Sequence, residues 1–144
     1  MQYEISCGAV VFTRKEKEIY YVIVEEQEGY YGFPKGHMEG TETEEETALR
    51  EIYEEVGIRA HLLQGFKTID EHAIPNKKDV IKKIIYFAAE YDNQEIIYQK
   101  EELRSARLLC YEEAMKIFQF ESSKRILREA KEFIESISDC QRKF

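Results

Sequence analysis

Gly36-His-Met-Glu-Gly-Thr-Glu-Thr-Glu-Glu-Glu-Thr-Ala-Leu-Arg-Glu-Ile-Tyr-Glu-Glu-Val-Gly-Ile58 is the stretch that decides how this chain folds. A loop with two glycines, Gly36 and Gly40, runs into a helix. Thr43 is a good N-cap, and Glu46 three residues later completes a capping box. Gly57 stands where a helix end needs left-handed dihedrals. At about 100° per residue, Leu49, Ile52 and Val56 fall within about 60° of one another and predict the stripe that faces the core. Glu51, Glu54 and Glu55 fall within about 100° on a different face, the i, i+3, i+4 relation that brings side chains together. Carboxylates so crowded repel one another unless a cation sits among them. The plain alternative is an acidic solvent face, since glutamate is a good helix former.

Outward from this helix the chain alternates between apolar runs and polar turns. Residues 3–13 predict a strand, and Arg14 to Glu18 a charged turn. Ile19 to Val24 is a continuous apolar run of strand length and β-branched character, which predicts burial on both faces. Residues 25–32 predict a polar loop. After the helix, Ile58 to Ile69 predicts a strand with Gly65 as a bulge. Asp70 to Lys78 predicts a loop, and Asp79 to Tyr91 the clearest strand. Ile96 to Tyr98 predicts a weak strand and Ala106 to Cys110 a further one. Tyr111 to Phe118 predicts a short helix. Ile126, Leu127, Ala130, Phe133, Ile134 and Ile137 recur at helical spacing in a last helix that covers the core. Strands, one helix, more strands and then helices do not make a doubly wound sheet; a mixed sheet between helices fits this order.

With 144 residues, 43% of them apolar, the chain is long enough for one domain, residues 1–144, around a proper core. No stretch is long and apolar enough to span a membrane. Three widely spaced cysteines, Cys7, Cys110 and Cys140, form neither a disulfide framework nor a metal motif. These features predict a cytoplasmic protein. The net charge of −8 argues against general nucleic-acid binding. It is compatible with a phosphate-rich substrate only if cations reverse the local charge. Oligomeric state is not written in the sequence.

Clustered carboxylates without a Cys or His set select hard cations, Mg²⁺ or else Mn²⁺. Such ions suit phosphoryl chemistry. Glu51, Glu54 and Glu55 are the candidate ligands, and one of them can instead serve as base toward an attacking water. Arg50 lies four residues before Glu54, spacing for an ion pair. Gly36 has no side chain to keep a metal from its backbone, and Glu42 is placed to brace the loop. Lys35 and His37 flank Gly36 as candidate substrate contacts. Lys82 and Lys83 interrupt an apolar strand, so alternation sends one to each face, either to a phosphate or to solvent.

The 36–58 stretch resembles the signature of the Nudix hydrolases at every constrained position: Gly36, Glu42, Arg50, Glu51, Ile52, Glu54, Glu55, Gly57 and Ile58. The resemblance implies an α+β fold, an αβα sandwich with a mixed sheet and a loop-helix-loop catalytic motif. A narrower resemblance rests on Phe33 to His37, Glu46 to Glu51, Lys82 with Tyr86, and Phe118 to Phe120. These are similar to the asymmetric diadenosine tetraphosphate branch of that family. The likeness implies that Tyr86 and Phe120 hold a base, both being otherwise ordinary core aromatics. It also implies that Glu102 ligates metal or acts as base, being otherwise solvated. The expected reaction is metal-dependent hydrolysis of a nucleoside polyphosphate, with diadenosine tetraphosphate giving ATP and AMP. The alternatives are a different pyrophosphate (an ADP-sugar, an oxidised nucleoside triphosphate or an RNA 5′ end) and a nucleotide-binding module without turnover.

Overall fold

The computed structural model describes residues 1–142, with side chains as far as residue 137, so the Cys140 thiol lies outside the described residues. Its frame is an eight-stranded mixed sheet. Strand β1 (Gln2–Lys15) turns at Glu16 and Lys17 into β2 (Glu18–Glu26). Both turn residues have positive φ, 50° and 74°, the backbone of a tight hairpin reached here without glycine. Along its other edge β1 runs parallel to β7 (Val80–Glu90), from Gln2 opposite Val80 to Phe12 opposite Glu90. Strand β6 (Thr68–Ala73) and the short β5 (His61–Leu62) pair antiparallel with β7, and β8 (Leu103–Leu109) pairs antiparallel with β2.

The central strands are apolar on both faces because both faces are covered. Cys7, Ala9 and Val11 of β1 pack with Ala48, Ile52 and Val56 of helix α1 (Glu44–Val56). The alternate residues Val10 and Phe12 pack on the opposite side with Ile126, Leu127, Ala130 and Ile134 of α3 (Glu121–Arg142) and Ala114 of α2 (Tyr111–Ile117). The result is helix, sheet, helix: the α+β, αβα arrangement with a mixed sheet that the element order and the resemblance imply. No helix among the described residues is long and apolar enough to cross a membrane.

Four local expectations are corrected. Ala48, not Leu49, completes the buried stripe of α1; Leu49 is 37% exposed. The stripe follows the strand it lies on, and a small residue lets helix and sheet approach. Residues 58–69 are no continuous strand: Gly65 sits in a turn with φ +100°, not at a bulge. Asp70 to Ala73 belong to β6 rather than to a loop, as an edge strand on which Glu71 and His72 are exposed and Asp70 is half-buried. Ile96 to Tyr98 form no strand, because this segment finishes α1: the Ile97 N–H donates to Val56 O at 3.0 Å and the Gln99 N–H to Glu55 O at 2.9 Å.

Candidate functional site

The site forms where the sheet opens. Strands β1 and β2 pair near their hairpin and then part. Into the gap come β3 (Tyr31–Gly32), paired with β2, and β4 (Lys35–His37), paired with Ser6 to Gly8 of β1. The insertion needs a bare backbone on β1. A Cβ on Gly8 would lie 2.1 Å from Pro34 O and 2.6 Å from Lys35 Cβ. Gly36 has the same constraint toward α1, for its Cβ would lie 2.1 Å from Glu51 Cδ.

Helix α1 begins as the sequence predicts. The Thr43 hydroxyl accepts from Glu46 N at 3.1 Å, and Glu46 accepts from Thr43 N at 2.8 Å. Gly57 closes it with φ 71°, its N–H donating to Tyr53 O. On this rigid rod Arg50 gathers the acidic groups. Its Nε donates to Glu42 at 2.6 Å, its Nη1 to Glu51 at 2.8 Å and Glu54 at 3.1 Å, and its Nη2 to His37 O at 2.9 Å. The expected Arg50–Glu54 pair is therefore one arm of a larger hub. Glu42 also accepts from Glu39 N and the Thr47 hydroxyl, and so braces the loop. The Arg50 guanidinium, with the Glu39 N–H, pulls the Glu42 carboxyl down to about 2.

The three clustered carboxylates differ in environment. The Glu54 side chain is 49% exposed, whereas Glu51 and Glu55 are buried. Burial raises Glu55 to about 8, against the pull of Lys35. Burial raises Glu51 as well, although Arg50 opposes it. The charge of Glu102 is felt at both. Glu55 and Glu102 line a cavity of about 260 Å³ together with Lys35, Gly36, His37 and Lys82. The cavity wall thus gathers Lys35, Gly36, His37, Glu55, Lys82 and Glu102, whereas Glu51 and Glu54 turn to Arg50 and are not part of it. Lys82 faces this cavity, and Lys83, by alternation, faces the other side of the sheet. Burial, then the nearby Lys35 charge, lowers the Lys82 pKa. Lys35 Nζ is held by Glu26 at 3.2 Å, a partner the sequence did not single out.

A second cavity, about 490 Å³, adjoins the first and shares Glu26, Phe33 and Lys35 with it. Tyr86 and Phe120 both line it. They do not sandwich it. Tyr86 is 5% exposed, with Phe33 edge-on at 5.5 Å, whereas Phe120 is 47% exposed and meets Tyr30 at 5.1 Å. Gln119 fixes that rim: its amide oxygen accepts from Tyr31 N at 3.1 Å and its Nε2 donates to Gly29 O at 3.0 Å. The carboxylate of Asp70 in the chamber wall, and Tyr30 at the rim, were not singled out in the sequence as site residues; Gln119 stood there only within the Phe118 to Phe120 run. The Gly29-Tyr30-Tyr31 run was the one signal for the rim, since aromatics beside a glycine turn suit an exposed wall.

The chemistry of the donors fits a divalent cation such as Mg²⁺. All are hard carboxylate oxygens, two of them buried on a helix whose neighbouring loop keeps Gly36 bare against Glu51. Among the described residues no three Asp, Glu, His or Cys side chains stand gathered as a ligand set. Arg50 draws Glu51 and Glu54 to itself, while Glu55 accepts from Lys35 N at 3.4 Å. A cation would compete with Arg50 for Glu51 and Glu54 and would neutralise the charge that burial penalises on Glu55.

The NUDIX domain family matches residues 2–130. The chain is 32% identical over 141 residues to the asymmetrical bis(5'-nucleosyl)-tetraphosphatase of Rattus norvegicus, spanning 90% of this chain and 94% of the rat protein. It is 29% identical to the enzyme of that name from Sus scrofa, over 92% of this chain and 97% of the pig protein. Among solved structures, a binary complex of C. elegans Ap4A hydrolase has the same fold, with a TM-score of 0.84 at 20% identity, covering 92% of this chain and 98% of that one. Because the family match takes in the Gly36–Ile58 loop and helix and nearly all of the sheet, the chain belongs to the Nudix hydrolases.

Proposed function

We propose that this Nudix hydrolase cleaves dinucleoside tetraphosphates asymmetrically, with diadenosine tetraphosphate giving ATP and AMP. The observation that carries the reading is the adjacency of the two cavities. A carboxylate-lined cleft with two lysines lies beside an aromatic-walled chamber and shares Glu26, Phe33 and Lys35 with it, an arrangement that suits a ligand with phosphates in the first and a nucleoside in the second. The similarity to asymmetrical bis(5'-nucleosyl)-tetraphosphatases over nine-tenths of the chain supports the same substrate class.

Each residue then has a task. Glu51, Glu54 and Glu55, with the backbone of Gly36, would hold the divalent cation. When bound, it neutralises phosphate oxygens and lowers the pKa of a water. Lys35 and Lys82 face the phosphates as cations, Lys35 exchanging Glu26 for the substrate, and His37 stands at the mouth. Glu54, Glu55 or Glu102 accepts the proton of the water that attacks phosphorus, and the P–O bond to the departing nucleotide breaks. Arg50 orients Glu51 and Glu54 and ties the loop to the helix. Stacking on Phe120, with Tyr86 beneath Phe33, accommodates a base.

The test is hydrolysis of a nucleotide panel by the purified chain with Mg²⁺, with products identified. ATP plus AMP from diadenosine tetraphosphate is expected. Release from an ADP-sugar, an oxidised nucleoside triphosphate or a capped RNA, with none from the tetraphosphate, would move the substrate assignment. No Mg²⁺-dependent release at all would leave a nucleotide-binding module.

A further inference from the structure

The aromatic chamber has an unspent carboxylate in its wall. Asp70 lies on β6 opposite Ile84 and one step from Thr68, which pairs with Tyr86, so it shares the chamber face with those residues. Its side chain is 18% exposed, and its nearest charged partner, His72 Nδ1, is 3.9 Å away. Among the described residues no donor reaches it within hydrogen-bond distance. The neighbouring carboxylate of Glu26 is taken by Lys35, and Glu71, although it borders the chamber, is exposed to solvent. A half-buried carboxylate is acceptor-only and lacks the donors it needs.

Stacking on aromatic rings tolerates every base, because each base has a π-face. Discrimination must come from polar groups that meet the base edge. The polar groups of this chamber are Asp70, the neighbouring Glu71 and His72, the paired Glu26 and Lys35, and the small hydroxyls of Ser122 and Ser123 at the start of α3; of these, Asp70 is the half-buried carboxylate without a close donor. Guanine presents two adjacent donors, N1–H and the N2 amino group, to the two oxygens of one carboxylate. Adenine presents one donor, its N6 amino group, flanked by the ring acceptors N1 and N7. These oppose the second carboxylate oxygen. We propose that Asp70 is the base-reading residue of this chamber and that its carboxylate selects guanine over adenine at the nucleoside end bound there. The proposal rests on the hydrolase reading above and sharpens its substrate class to guanine-containing dinucleoside polyphosphates.

The experiment compares kcat/KM for diguanosine and diadenosine tetraphosphate with Mg²⁺, and the affinities for GDP and ADP, in the wild type and in Asp70→Asn. A guanine preference of about 10- to 100-fold is expected in the wild type. Asp70→Asn, which offers one donor and one acceptor, should lower the guanine-to-adenine ratio at least tenfold. Asp70→Ser should lose the guanine preference without gaining adenine, and thermal melts of both variants establish that they fold. Phe120→Ala should weaken both nucleotides together and leave the ratio standing. A wild-type ratio near one, or a ratio unmoved in Asp70→Asn, overturns the proposal. Absence of turnover on both tetraphosphates overturns the hydrolase reading instead, and the GDP and ADP affinities then decide the role of Asp70.

Discussion

Gly36→Ala isolates the contact between the catalytic loop and helix α1. The backbone of Gly36 is outside the positive-φ region, so alanine meets no conformational penalty there. The cost is steric. The added Cβ would sit 2.1 Å from Glu51 Cδ and 2.3 Å from each carboxylate oxygen. Carbon atoms in contact want about 3.5–4.0 Å, so the carboxylate must retreat by about 1.5 Å. It is the end of a flexible side chain and can retreat, but it then leaves Arg50 Nη1, now at 2.8 Å. A hydrogen bond to a charged group contributes about 1.5–3 kcal/mol. Replacing glycine where the backbone permits it returns about 0.4–1 kcal/mol. The net loss is about 1–2 kcal/mol, a fall of about 3–8 °C in Tm. Activity should fall further, because displacing a catalytic group by an ångström can cost about 100-fold.

A double-mutant cycle makes the reasoning refutable. In Glu51→Ala the space is vacated, so adding Gly36→Ala should cost nothing more and stabilise slightly. Urea midpoints of the four proteins give the coupling, expected at about 1.5–3 kcal/mol, the contribution of the displaced hydrogen bond. Additive losses would mean that the alanine strains something other than Glu51. Wild-type kcat/KM in Gly36→Ala would mean that the position of this carboxylate does not matter to turnover.

Three further outcomes follow from the same geometry. Glu55 keeps its proton to about pH 8 in the fold but ionises near 4.5 when unfolded. The unfolded chain therefore binds fewer protons in that window, and without metal stability should fall as pH rises from about 4.5 to about 8. Glu42, depressed to about 2, loses its contribution only below 4.5 and does not disturb the window. If magnesium binds Glu55 as proposed, it displaces that proton, so its apparent affinity should rise up to about pH 8 and then level; calorimetry showing a flat profile would contradict this. Glu55→Gln should abolish turnover yet raise the metal-free melting temperature at pH 9, since it removes a buried charge; a lower melting temperature would show that the charge is well compensated. Gly8→Ala should be far costlier than Gly36→Ala, about 3 kcal/mol in urea unfolding, because its Cβ would meet backbone, Pro34 O at 2.1 Å, which cannot swing away.

These contrasts bear on what could be read from the chain alone. The carboxylate face of α1 was legible because helical spacing fixes who stands beside whom. Arg50 and Glu54, four residues apart, had to meet, and the capping box and Gly57 marked both ends. The two-faced burial of β2 was legible because Ile19 to Val24, a run apolar at every position, has no solvent side. Contacts made across strands carry no such local mark. Leu49 and Ala48 are equally good helix formers, and only the sheet beneath decides between them. Ile96 to Tyr98 read as a weak strand, but this segment is recruited by the open carbonyls of α1. Gly8 lies 26 residues before Pro34, and nothing in either segment announces that one must be bare for the other to pass. Glu26, Asp70 and Gln119 likewise reach the site only through pairings of β2, β6 and the α2–α3 junction. The sequence therefore displays the carboxylate cluster of the proposed reaction centre, which one helix carries, and conceals the aromatic chamber, which four separate segments build. If that chamber takes the substrate as proposed, selection can change by single substitutions on strand edges while helix α1 stays the same.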